Sequence, residues 1–301
     1  MTVMLLAEAG VVPYRVALGL QEAWARERAA GGVPDAVLLL EHPPVYTLGA
    51  SARAEEFRVP RACLEAAGAE VVAIRRGGAI TYHGPGQLIG YPVLDLSARG
   101  RDLHRYLRDL EEVLIRSLAD FGVAGVRVAG ATGVWVAGAK IASIGVGVRR
   151  WVSLHGFALN VGPDLGPFEA IVPCGLADAR MTCLSAHAGR EVSVAEVRPR
   201  VVARFAEVFG ATWLSEGLEA MSARLASAAD SPQSAQRTPS GLEVLGYFRG
   251  GIAEDQGMGA VRGSHGAAAT NGYAVGVRNG RTPVLQSVSA VSAISAVNSL
   301  G

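Results

Sequence analysis

Apolar residues along the first 210 positions fall into short runs in some stretches and recur at helical spacing in others. Val3–Leu6 and Ala36–Leu40 are short apolar runs that predict strands, the second one buried. Between them, a helical pattern extends from about Tyr14 to Ala30. The exit from the second run, His42-Pro43-Pro44, cannot continue a ladder because proline lacks the amide donor. A short helix around Arg61–Ala67 and a strand at Val71–Ile74 follow. Leu103, Tyr106, Leu107, Leu110, Val113, Leu114 and Leu118 recur every three or four residues and predict an amphipathic helix over about Arg101–Phe121, with a charged, solvated outer face. From Val126 to Val161 the chain is β-rich, with hairpins punctuated by glycine. A loop with Pro163, Pro167 and Pro173 then leads to Cys174, and a last helix is expected over about Val194–Val208, with Ser193 as N-cap and Glu196 closing a capping box.

After about Leu218 the patterning lapses into Ser, Ala, Gly and Gln, as in SAADSPQSAQRTPSG. Such a stretch offers little apolar surface against the entropy of ordering it, so disorder is expected, with a weak helix in the final VLQSVSAVSAISAVNSL. The expected organisation is a mixed α+β catalytic domain over residues 1–218 and a tail over 219–301 without chemistry of its own. Half of the residues are apolar and the formal net charge is +1, which gives no basic footprint for nucleic acid. Three cysteines do not make a disulfide framework, and no apolar run reaches the roughly 18 residues of a membrane span. A cytoplasmic protein that does not enter a membrane is the expectation.

Charge usage then singles out one residue. Among 28 basic side chains 27 are arginines, and the one lysine, Lys140, sits in GVWVAGAKIASIGVGV. Arginine keeps its proton, whereas burial can tune a lysine to release one, so Lys140 is a candidate for proton chemistry; codon bias with a chance survivor is the alternative. Cys174, in AIVPCGL, is held between a rigid proline and a permissive glycine. A thiol needs a neighbouring cation or base to become an effective nucleophile, and a thiolate–ammonium pair with Lys140 would supply it. The other reading makes Cys174 a small buried hydrophobe. Cys63 reads as core and Cys183 as structural. A metal site would have to use Cys174, Cys183 and His187, whose spacings of nine and four match no zinc pattern, so no metal is expected.

The block Arg75–Gln87 pairs arginines with Gly77 and Gly78, where backbone can approach a ligand, and ends in Tyr82-His83-Gly84-Pro85-Gly86-Gln87. It fits neither GxxxxGK[ST] nor GxGxxG. His83 and His155 are open between structural and catalytic roles, while His42, His104, His187 and His265 read as structural or exposed.

Taken in order, HPPVYTLG, RRGGAITYHGPGQLIGYPVLDL, GAKIASIGV, HGFALNV and IVPCGL resemble the lipoyl (octanoyl) transferase family over about residues 1–215. The resemblance implies the fold of biotin and lipoate protein ligases, a mixed sheet flanked by helices. It implies Cys174 as the acyl-thioester cysteine and Lys140 as the lysine that lowers its pKa. It also implies acyl-binding segments at Arg76, Gly77, Gly78, Ala79, Ile80, Thr81, Tyr82 and His83, at Ser143, Ile144 and Gly145, and at Gly156, Phe157 and Ala158. The implied reaction moves an octanoyl group from acyl carrier protein to a lysine of lipoyl domains, those of the 2-oxoacid dehydrogenases and the glycine cleavage H protein. No cofactor is needed, because the thioester is already activated, and Lys140 or His83 would accept a proton from the incoming amine. Two rivals are an ATP-dependent lipoate or biotin ligase and a silent module that only grips acyl carrier protein. Gly84, where related ligases tend to carry Asp, and the Pro173-Cys174-Gly175 element argue against the ligase.

Overall fold

The computed structural model describes residues 2–162, 164–173 and 180–229. Its frame is an eight-stranded mixed sheet. Strand β1 (Thr2–Val11) leads into helix α1 (Tyr14–Ala29), and β2 (Ala36–Glu41) returns parallel to β1. A three-stranded sheet is set beside the frame, built from β3 (Val45–Leu48), β4 (Glu70–Ala73) and β5 (Ile80–His83), with helix α2 (Arg61–Ala66) between the first two. The chain re-enters the large sheet at β6 (Gln87–Val93), passes through helix α3 (Leu103–Ala119), and runs through β7 (Val126–Val128), β8 (Ala131–Val136), β9 (Ala139–Arg149) and β10 (Val152–Asn160). Helices α4 (Leu184–Ala188) and α5 (Val194–Phe209), strand β11 (Ala211–Glu216) and helix α6 (Leu218–Ala229) complete it. The order across the sheet is β11-β1-β2-β6-β10-β9-β8-β7.

Strand alternation divides the interior into two layers. Met4, Leu6, Val37 and Leu39 face α3 and α5, packing with Leu110, Leu114, Val201 and Phe205. Leu5, Ala7, Leu38 and Leu40 face the other way, onto Leu20 and Trp24 of α1 and Met221 and Leu225 of α6. β2 is covered on both sides, which is why its sequence is an unbroken apolar run. The expected mixed sheet flanked by helices is the observed architecture.

Several local expectations hold. Ser193 Oγ accepts from Glu196 N at 3.2 Å while Glu196 Oε1 accepts from Ser193 N, so the capping box is formed. Helix α3 starts under Asp102, whose side chain accepts from Arg105 N at 2.9 Å. Three expectations need correction. Helix α6 lies in the stretch read as unpatterned from about Leu218, and its Met221 and Leu225 are buried against α1 and the sheet. Cys63 is partly exposed rather than core, because α2 buries only Leu64. The charged face of α3 is not wholly solvated: Glu111 is 1% exposed. Pro163, Cys174, His265 and the tail from residue 230, with its proposed terminal helix, lie outside the described residues.

Candidate active site

A cavity of about 340 Å³ opens where β9 and β10 run side by side between α3 and the small sheet. Its lining contains Lys140 and most of the expected acyl-binding residues: Arg76, Gly77, Gly78, Ala79, Thr81, His83, Ser143, Ile144, Gly145, Gly156, Phe157 and Ala158. Segments remote in sequence meet because β9 and β10 are antiparallel neighbours, with Ser143 opposite Ala158, Ile144 opposite Phe157, and Gly145 opposite Gly156. Ile80 and Tyr82 do not reach the cavity. Alternation along β5 turns Ala79, Thr81 and His83 toward it and sends Ile80 and Tyr82 into a separate core with Tyr46 and Phe168. Of the segment 76–83, the residues that line the cavity are thus Arg76, Gly77, Gly78, Ala79, Thr81 and His83.

Lys140 is 3% exposed. Its peptide is clasped by the chain just beyond residues 174–179: Lys140 N donates to Arg180 O at 2.8 Å, and Thr182 N donates to Lys140 O at 2.9 Å. On the other side, Trp135 pairs with Lys140 but Val134 pairs with Ala142, a bulge that leaves Ile141 as the extra residue and re-aims the lysine. Nζ stands 5.5 Å from the centre of the Trp135 ring, within cation–π range. The lysine stem passes directly over Gly133. A Cβ there would stand 2.7 Å from Lys140 Cε and 2.5 Å from Ala142 O, and the φ of +128° is one that other residues rarely adopt. Gly133 is itself anchored from behind, since its N–H donates to Glu111 Oε1 at 3.1 Å. The buried Glu111 carboxylate is held by Arg108 at 2.6 Å and Arg127 at 3.1 Å.

Arg76 is buried beneath β9. Its guanidinium donates to Thr47 O at 2.8 Å, to Thr47 Oγ1 at 2.9 Å and to Gly77 O at 3.0 Å, and it passes under Gly145, where a Cβ would meet Arg76 Cδ at 3.0 Å. Its positive charge also acts on the histidines nearby. Burial, then His42 and Arg76, push the His83 pKa down to about 3; burial and Arg76 lower His155 to about 4; burial lowers His42 to about 4. All three imidazoles are neutral at working pH. Of the two groups left open for proton removal, Lys140 or His83, the lowered pKa makes His83 a weak base.

Several wall residues were not identified from the sequence. Tyr14 of α1, Tyr91 of β6, and Leu103 and Leu107 of α3 all line the cavity. Leu103 and Leu107 were visible only as part of an amphipathic stripe. His155, left open, lines it too, with a φ of 60° in the middle of a strand. Cys174 lies outside the described residues.

Residues 13–206 match the profile of the lipoyl protein ligase A/B catalytic domain. The chain is 53% identical to an octanoyltransferase of Geobacter metallireducens over 202 residues, 67% of this chain and 92% of that protein. It is 51% identical to an octanoyltransferase of Gloeobacter violaceus, over 72% of this chain and 95% of that one. Among solved structures, lipoate-protein ligase A bound with ATP superposes with a TM-score of 0.61 at 21% identity, over 76% of this chain and 94% of that chain. The bipartite lipoate protein ligase of Thermoplasma acidophilum gives 0.61 at 20% identity, over 78% and 95%. These structures share the fold. The chain belongs to the lipoyl protein ligase A/B family and, within it, to the octanoyltransferases.

Among the described residues no helix is long and apolar enough to cross a membrane.

Proposed function

We propose that the protein transfers an octanoyl group from octanoyl-acyl carrier protein to the lysine of lipoyl domains through a thioester on Cys174. The observation that carries this reading is the burial of Lys140 at a cavity lined by glycine-rich strands and apolar side chains. In the first step the Cys174 thiolate attacks the carrier thioester; the new S–C bond forms as the bond to the phosphopantetheine sulfur breaks. Lys140 returns a proton to the departing thiolate. In the second step the acceptor ε-amine attacks the enzyme thioester, Lys140 takes a proton from that nitrogen, and the Cys174 thiolate leaves. With His83 held neutral, Lys140 is the group suited to carry the proton in both directions. The roughly 50% identity to octanoyltransferases, against about 20% to lipoate protein ligases, favours the transferase over the ligase reading. The acceptors are expected to be the lipoyl domains of 2-oxoacid dehydrogenases and the glycine cleavage H protein, and the compartment the cytoplasm.

Intact-mass analysis after mixing with octanoyl-acyl carrier protein tests the proposal: one octanoyl adduct is expected on Cys174, absent in Cys174→Ser. Lys140→Arg keeps a cation beside the sulfur but removes the proton shuttle, so turnover is expected to collapse. Near-normal turnover in that variant, or activity with free octanoate and ATP in place of the carrier, would overturn the mechanism.

A further inference from the structure

Strand β8 is out of step with both of its neighbours around Gly133. Between the pairs Val128–Ala131 and Val126–Trp135, β8 advances four residues while β7 advances two, so Gly133 lies in the slack and is matched to no residue of β7. On the other side the β9 bulge at Ile141 sets Lys140 opposite Trp135. A buried strand amide that has lost its ladder partner needs another acceptor. Gly133 is buried, and its N–H donates to Glu111 Oε1 of α3 at 3.1 Å. The space left by the missing side chain is filled by the lysine: an added Cβ would meet Lys140 Cε at 2.7 Å and Nζ at 3.4 Å. The Gly133 backbone thus sets the height of the lysine stem, and Glu111 fixes Gly133.

Stability alone explains the carboxylate poorly. Glu111 is buried on α3 beside the core residues Leu110 and Leu114, where an apolar residue of similar volume is often at least as stable as a buried ion pair. What the ion pair adds is direction, because its two oxygens have separate partners. Oε1 takes the Gly133 N–H, while Oε2 is held by Arg108 at 2.6 Å and Arg127 at 3.1 Å. Arg127 is the β7 residue between Val126 and Val128, so the irregularity that leaves Gly133 without a β7 partner also brings the guanidinium to the carboxylate. Arg127 bonds Glu112 as well, at 2.6 Å, and Glu112 is held by Arg116 at 2.8 Å. The carboxylate cannot turn without breaking contacts to both α3 and β7.

We propose that Glu111 is a positioning residue for Lys140: it stands in for the strand partner that β7 withholds from Gly133 and thereby fixes the lysine stem at the cavity. Glu111 does not line the cavity and acts through the Gly133 peptide. The kinetic part of the proposal rests on the octanoyl-transfer reading; the placement of the lysine does not.

The test uses Glu111→Gln and Glu111→Leu, both close to the native volume. In Glu111→Gln the two guanidinium groups claim the single oxygen and turn the amide NH2 toward the Gly133 N–H, donor against donor. Glu111→Leu offers no acceptor. Two readouts do not depend on the amount of folded protein. The first is the single-turnover rate constant for octanoyl-enzyme formation at saturating octanoyl-acyl carrier protein, where unfolded molecules lower the amplitude and not the rate. It is expected to fall at least about 10-fold, and toward the roughly 100-fold that a displacement of about 1 Å costs, with half-saturation by the carrier within about 2-fold of wild type. The second reads Lys140 directly, since it is the one lysine of the chain. Protein grown on lysine isotopically labelled at Cε gives a single lysine signal in a nuclear magnetic resonance spectrum, set by the Trp135 ring 5.5 Å from Nζ. Both variants should move it toward its position in the unfolded chain. A wild-type rate constant or an unmoved lysine signal in either folded variant would overturn the proposal. Failure of both variants to fold would overturn it too, by making Glu111 a residue of the fold alone. If the wild type itself forms no octanoyl adduct, the functional reading falls and the lysine signal alone decides the placement.

Discussion

Gly133→Ala isolates the support beneath Lys140 from the lysine itself. The new methyl group would stand 2.5 Å from Ala142 O and 2.7 Å from Lys140 Cε, where ordinary contacts begin near 3.4 Å. Relief requires a shift of close to 1 Å, either of the lysine stem or of β8 away from β9. The second movement strains the Gly133 N–H bond to Glu111 and so loosens a buried carboxylate. The φ of +128° adds a backbone cost of about 1–3 kcal/mol for a residue with a side chain. A total stability loss of about 3 kcal/mol is expected, in the range where clash and backbone strain combine. A lysine displaced by about 1 Å should lower turnover about 100-fold. The assay pairs urea unfolding with quenched-flow measurement of octanoyl-enzyme formation. Gly122→Ala serves as the control: its φ is +74° and a Cβ there meets nothing within 4 Å, so it carries about 1 kcal/mol of backbone cost and normal turnover. If Gly133→Ala acylated at the control rate once both were folded, the placement of Lys140 by Gly133 would be wrong.

Acidification should weaken the fold well above the carboxylate range. His42, His83 and His155 have folded pKa values of about 4, 3 and 4, against about 6.5 when unfolded. The unfolded chain binds more protons between these values, so the stabilisation is complete above about pH 6.5 and is lost as the pH falls toward 4. Each histidine contributes a slope of up to about 1.4 kcal/mol per pH unit in that window; urea midpoints that stay level from pH 7 to pH 5 would contradict the burial of neutral imidazoles. Helix α6 should behave as part of the folded domain, so that Met221→Ala, at a position with 0% exposure, lowers stability by about 2–5 kcal/mol in urea unfolding. A loss no greater than that of the exposed Ser227→Ala would show that α6 adds nothing to the core.

Much of the fold was legible because its elements announce themselves within single windows. The apolar run of β2, the three-and-four spacing of α3 and the Ser193–Glu196 box each needed only local sequence. Helix α6 escaped because Leu218, Met221 and Leu225 are at helical spacing but stand among alanines and serines that mute the contrast between its faces. Lys140 was conspicuous by composition. The exclusion of Ile80 and Tyr82 was also available in principle, since a period of two through Ala79, Thr81 and His83 already separates the faces of β5. Glu111 could not be found that way. In sequence it is one more charge on a helix, and only the arrival of Gly133 and Arg127 from β8 and β7 makes it a buried anchor.

The polar cluster beside the cavity was hidden for a deeper reason than distance along the chain. Its character depends on which atoms hold protons, and that is settled by a relay across three elements: a carbonyl at the end of β1, an imidazole after β2, and a hydroxyl in β6. Read singly, His42 follows the end of a strand and Tyr91 is a buried aromatic. Joined, they fix the direction of each other's hydrogen bonds, which no single window of sequence contains.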